Sequence, residues 1–120
     1  MNYFFLSLYF NGIANNDSDS LYRAISVASG DFFMACPILK FAKLYSNSQN
    51  RVFQYYLTQK PSDVSLSLFT YPDWVNTASH RMDLIYLFGN PFLYPNNFTD
   101  YDRKISGIMI DAFSYFAYHG

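Results

Sequence analysis

His80 and Asp83 stand three positions apart at the head of an apolar turn, His80-Arg81-Met82-Asp83-Leu84-Ile85-Tyr86-Leu87-Phe88-Gly89. An imidazole is the side chain best suited to carry a proton near neutral pH, and a carboxylate nearby can orient it. A histidine acting as general base needs a nucleophile within about 2.6–3.2 Å of one ring nitrogen and an acid on the other. The chain offers no good candidate for the nucleophile. Cys36 precedes Pro37 in an apolar stretch and has no cationic neighbour to lower its thiol pKa. Ser29, before Gly30, follows Val27-Ala28 and so lacks the glycine-flanked setting of a strained nucleophile turn. A proton carrier without its partners is therefore the first thing the sequence presents.

The elements that must position this histidine are legible in part. Asn11 to Ser20 is a polar, turn-rich stretch, after which Asp17 or Ser18 can cap a helix carrying Leu21, Ile25 and Ala28, with Gly30 as its stop. A second helix is predicted from Asp31 to about Tyr45, in which Pro37 either kinks the helix or marks its first turn. Arg51 to Thr58 reads as a strand, being β-branched, aromatic or aliphatic at Val52, Phe53, Tyr55, Tyr56 and Leu57. Lys60 to Ser79 is a long irregular loop with two prolines. Thr99, with Asp102 three residues on, predicts a capping box for a last helix reaching about Tyr118. Its apolar face would be Ile105, Ile108, Met109, Ala112, Phe113, Phe116 and Ala117, with His119 on the surface at its C-terminus.

Composition says how these elements are to be covered. Net charge is −1, which gives no electrostatic footprint for nucleic acid. Charged residues are 14% of the chain, against roughly 25% in a typical soluble domain. Aromatic residues reach 22%, and each large ring has about 150–250 Å² to bury. One reading is a Tyr-rich surface around a Phe core; the other is a segment of a larger core. The single strand favours the second, because a strand cannot satisfy its own hydrogen bonds and its partners must lie elsewhere. The apolar start, Met1 to Phe10, lacks a basic leader and a small-residue cleavage site, so it reads as core rather than as a signal peptide. Cys36 is the only cysteine, which excludes an internal disulfide. Asn16-Asp17-Ser18 and Asn97-Phe98-Thr99 are glycosylation sequons, triplets that permit a secretory origin.

Five segments, in order, resemble the C-terminal third of the type-B carboxylesterases and cholinesterases. Gly30-Asp31-Phe32-Phe33-Met34-Ala35-Cys36-Pro37 is similar to the family's Gly-Asp-x-x-x-x-Cys-Pro segment, and Val52 to Thr58 to its next sheet strand. Pro72-Asp73-Trp74, then His80 to Gly89, resembles the stretch that carries the catalytic histidine. Asn97-Phe98-Thr99 and Phe113, Phe116-Ala117 and Gly120 resemble the approach to the closing helix and that helix itself.

The resemblance implies an α/β fold: part of an α/β-hydrolase, mainly helices plus one central-sheet strand at about 51–58. It makes residues 1–120 a partial domain, with the serine elbow and the acid upstream and the last strand and helix downstream. His80 would be the general base, Asp83 its support, and Trp74 a wall of the pocket. Asn97 and Asn16 would carry glycans, and Cys36 would form a disulfide with a cysteine outside the chain. The substrate would be a carboxylic ester, with no cofactor, metal or nucleic acid, and the setting extracellular or a membrane-attached ectodomain. The alternatives are a non-catalytic ectodomain of the neuroligin kind and an independent helical interaction module. Several positions depart from the pattern. Asn76-Thr77-Ala78 replaces Gly-Val and lengthens the Trp74–His80 spacing by one. Arg81 stands where a glycine is common, and Phe113 where the last helix usually has Trp.

Overall fold

The computed structural model describes residues 3–67 and 69–120, the side chains of residues 3–6 excepted. Met1 and Asn2 of the apolar start thus lie outside the described residues. The chain forms two compact units, Met1–Gln54 and Tyr55–Gly120.

The first unit is helical. Helix α1 (Tyr3–Phe10) ends where Gly12 turns the chain at φ 79°, a left-handed backbone open to glycine at no steric cost. Helix α2 (Ser18–Gly30) begins at Asp17, whose carboxylate accepts the Ser20 amide at 3.1 Å and so settles which residue caps. Gly30 does not end it. Its backbone is ordinary right-handed helix (φ −59°, ψ −44°), and the chain runs on through one π turn, Asp31–Ala35, into α3 (Cys36–Ser46). The amide of Cys36 bonds the carbonyl of Asp31, five residues back. Pro37 then falls in the first turn of α3, where its missing N–H costs little. A glycine is a stop only when something beyond it demands a left-handed residue, and nothing here does.

Packing in this unit is thin. Among the described residues of this unit, Ala24 and Ala28 alone are buried, four residues apart on α2, the helix against which α1 packs. The Tyr9 hydroxyl donates to Asp31 at 2.8 Å and ties α1 to the π turn, a bond that also raises the Tyr9 pKa. Phe32, Phe33, Ile38, Leu39, Phe41 and Leu44 stand exposed, Phe33 at 70%. By length and mean hydropathy (1.3) alone, the 29-residue run Ser18–Ser46 could cross a bilayer. Centring it there would put Asp31 near the midplane, at a cost of about 2.5–3.5 kcal/mol.

Arg51 to Lys60 has no regular secondary structure, and no strand forms among the described residues. The strand expected at 51–58 is therefore not formed. Its residue types suit a pleated sheet, but a strand exists only through a neighbouring backbone that takes its hydrogen bonds.

In the second unit, α4 (Met82–Leu87) packs on α6 (Asp100–His119), with the single turn α5 (Asn90–Leu93) wedged against both. Gly89 joins α4 to α5 at φ 73°, and Met82, Ile85, Tyr86, Pro91, Phe98 and Met109 form the core. The predicted capping box of α6 is present in both directions: Thr99 Oγ1 accepts the Asp102 amide at 3.2 Å, and Asp102 accepts the Thr99 amide at 2.9 Å. The buried stripe differs from the predicted apolar face. It is Asp102, Ser106 and Met109, whereas residues 111–120 are exposed throughout and Tyr118 is 87% so. In this stretch Phe113 meets the Tyr55 ring at 5.4 Å, while Tyr115, Phe116 and Tyr118 stand exposed.

Candidate active site

His80 lies at the end of the long irregular segment, immediately before α4, with its side chain exposed. Three contacts hold the backbone around it. The Tyr71 hydroxyl donates to the His80 carbonyl at 2.8 Å, the Ser79 amide points at the Met82 sulfur at 3.2 Å, and the Met82 amide bonds the Ser79 carbonyl at 3.1 Å. The imidazole faces the ring of Phe69, centroid to centroid 6.4 Å. Among the described residues no hydroxyl or carboxylate bonds either imidazole nitrogen.

Arg81, next in sequence, adopts φ 70°, ψ 3°. This is the left-handed region, which costs a residue with a Cβ about 1–2 kcal/mol. Arg81, a departure from the resembled pattern, thus stands at a position whose backbone favours glycine. The chain tolerates it because neighbours fix the residue: the guanidinium sits over Phe69 at 5.4 Å from the ring centroid, and α4 follows at once. Arg81, Leu66, Ser67, Leu84, Ile85, Phe88 and Asn90 line an open recess of about 150 Å³.

The remaining sequence-predicted residues are placed as follows. Asp83 Oδ2 accepts the Tyr55 hydroxyl at 2.7 Å. Burial and that bond push the Tyr55 phenol up to about 12, and its ring meets Phe113 edge-on at 5.4 Å. Trp74 is half-buried in the 72–78 segment, which Lys60 braces by donating to the Val75 carbonyl at 2.6 Å. Asn97 is exposed and its amide donates to Asp63 at 2.7 Å. Two bonds, from the Ser65 amide first and from Asn97, hold Asp63 below the usual carboxylate range. Cys36 and Asn16 belong to the first unit; both are exposed, and Cys36 is a free thiol.

The strongest polar cluster is one that sequence reasoning credited only with a cap. Asp102 is 1% exposed and receives the hydroxyls of Ser62 (2.6 Å), Tyr86 (2.8 Å) and Thr99 (2.5 Å), besides the Thr99 amide. Burial pushes its carboxyl up, but these donors outweigh burial and hold it at about 2. Burial and the bond to Asp102 drive the Tyr86 phenol well above its ordinary value. Ser106 extends the cluster by donating to the Tyr86 carbonyl at 2.6 Å. Arg103 braces the approach, donating to the carbonyls of Pro95 (3.1 Å) and Phe98 (2.9 Å) and pairing with Asp100. Every acceptor site of the carboxylate facing the core is occupied, so it joins the 62 loop, α4 and α6 and has no lone pair directed at a ligand. The capping-box spacing located Asp102; nothing in the local pattern announced Ser62 or Tyr86.

Residues 4–120 match the model of the Carboxylesterase family. Acetylcholinesterase-1 of Trittame loki is 25% identical over 111 residues, covering 92% of this chain and 19% of the relative. Acetylcholinesterase of Leptinotarsa decemlineata is 32% identical over 98 residues (82% of this chain, 15% of the relative). Bile salt-activated lipase of Homo sapiens is 32% identical over 88 residues (73% of this chain, 11% of the relative). The chain therefore spans less than a fifth of the length of these relatives. No solved structure matches it. A match from residue 4 to residue 120, through the His80 segment and both ends of α6, places the whole described chain in one lineage: it belongs to the carboxylesterase family.

Proposed function

We propose that this chain is the histidine-bearing portion of a serine carboxylic-ester hydrolase and that His80 is its general base. The observation that carries the reading is the placement of His80. Its imidazole is exposed at the end of a long loop, while its backbone is pinned by Tyr71 and by the Ser79–Met82 contacts. A base must reach outward yet hold its direction, and this arrangement does both. The nucleophilic serine and the acid that orients the imidazole come from residues outside the 120. His80 takes the serine proton during attack on the ester, gives it to the leaving alkoxide, and then activates water to release the acyl group. In that setting residues 51–58 pair as a strand with the remaining sheet of an α/β-hydrolase. The exposed faces of α2, α3 and α6 are covered by the same domain, with Cys36 bridged to a cysteine outside the chain. Asn97 and Asn16 are solvent-facing positions that suit glycans on an extracellular protein.

The test is made on the full gene product. His80→Ala should lower kcat on a p-nitrophenyl ester by roughly 10⁴–10⁶-fold, as removing a triad base does elsewhere. Reaction with a fluorophosphonate should mark one serine upstream of residue 1 and should slow greatly in the variant. Unchanged hydrolysis in His80→Ala would overturn the reading. Absence of both hydrolysis and labelling in the wild type would assign the protein to the family's non-catalytic ectodomains instead.

A further inference from the structure

The recess beside His80 carries an inference about what enters it. We propose that Arg81 makes this recess selective for an anionic ligand, a carboxylate carrying a short alkyl chain; the proposal rests on the hydrolase reading and specifies its substrate class.

Four observations combine. Arg81 holds a left-handed backbone, which fixes the direction of its Cβ. Its guanidinium carbon lies 5.4 Å from the Phe69 ring centroid, a cation–π contact that consumes none of the five N–H donors. The nearest carboxylate in sequence, Asp83, is engaged by Tyr55 at 2.7 Å, and Arg81 forms no ion pair among the described residues. The recess itself is walled by Leu66, Leu84, Ile85 and Phe88, with Ser67 and Asn90 as its polar members.

An unpaired guanidinium at the edge of an apolar recess is complementary to an amphipathic anion. Its planar fork takes both oxygens of a carboxylate, and the leucine, isoleucine and phenylalanine walls take the alkyl chain. The same charge repels a cationic head group. Phe69 contacts both Arg81 and the His80 imidazole (ring centroids 6.4 Å apart), so one shared ring links the recess to the proposed base. An ester whose acyl chain ends in a carboxylate would therefore be preferred over its neutral and cationic counterparts.

Binding to the full chain tests this without requiring hydrolysis. Hexanoate, 1-hexanol and hexylammonium are each titrated while the Arg81 Nε–H and the Leu84 and Ile85 methyl signals are followed by NMR. Hexanoate should shift all three and bind at least about tenfold more tightly than hexanol, as a charge-assisted bidentate contact implies, with hexylammonium weakest. Arg81→Gly, which suits the φ 70° backbone and so should fold, should reduce the hexanoate-to-hexanol ratio to near one. Arg81→Lys should keep part of it. Equal binding of hexanoate and hexanol, a preference that survives Arg81→Gly, or shifts that avoid Leu84 and Ile85 would each overturn the proposal. Because no arm depends on a serine or on His80, failure here is separable from failure of the hydrolase reading, which the His80→Ala comparison decides.

Discussion

Asp102 and Arg81 are the two residues where local chemistry departs most from what their types would do alone. Asp102 has its pKa held at about 2 by its donors, below the ordinary value near 3.9. A depressed folded-state pKa contributes stability that is fully present above the unfolded value and is lost as pH falls through the folded one. Here that contribution is about 2 kcal/mol, lost between roughly pH 4 and pH 2. Acid titration of the fold, followed by circular dichroism, should show that loss, and Asp102→Asn should flatten it. Asp102→Ala should cost about 3 kcal/mol in chemical denaturation, because it removes a cap and strands the buried hydroxyls of Ser62 and Tyr86. Arg81 tests backbone strain. Arg81→Gly should leave the unfolding free energy within about 0.5 kcal/mol, since relief of the left-handed strain offsets the lost stacking on Phe69. Arg81→Ile should cost about 1–2 kcal/mol more, because a β-branched side chain suits that backbone least.

Among the elements, those specified by contacts within a few residues were readable and those specified by distant partners were not. The Asp17 cap, the first-turn position of Pro37 and the Thr99–Asp102 box depend on neighbours at most three or four residues away, and each is present. Gly30 misled because a glycine's freedom permits a stop without requiring one. The 51–58 segment misled because β-propensity describes suitability for a sheet and cannot supply one. The predicted face of α6 and its buried stripe share Met109 but little else: the sequence pattern counts apolar residues, whereas the core beside α4 also takes in Asp102 and Ser106 through their hydrogen bonds. The bond from Tyr55 to Asp83 was not legible, since the two residues lie 28 positions apart. Gly89, in contrast, is a glycine that its position demands. Its φ of 73° predicts that Gly89→Ala lowers stability by about 1 kcal/mol, measured by urea unfolding.

At the scale of the whole molecule, the apolar surface left open is the dominant fact. Phe32, Phe33, Phe41, Leu44 and Tyr118 are all at least half exposed, in a chain with only 14% charged residues. Soluble monomers rarely leave contiguous apolar areas beyond a few hundred Å² uncovered. The isolated 120-residue chain should therefore bind an apolar dye such as ANS strongly at neutral pH, and the same residues within the full gene product should not. Equal dye binding in both settings would count against cover by the rest of a hydrolase domain.

The Asp102 cluster also bears on the order in which the second unit assembles. Its link to Thr99 spans three residues and can form in the first turn of α6 without tertiary structure, whereas its link to Ser62 closes forty residues. Closing a short loop costs less chain entropy than closing a long one. The helix start therefore orients the carboxylate first, and the 62 loop arrives at an acceptor already aimed at it. Folding kinetics should record this sequence. Thr99→Ala should slow refolding, whereas Ser62→Ala should mainly speed unfolding, so a bond that reads as static in the fold acts as the last latch to close and the first to open.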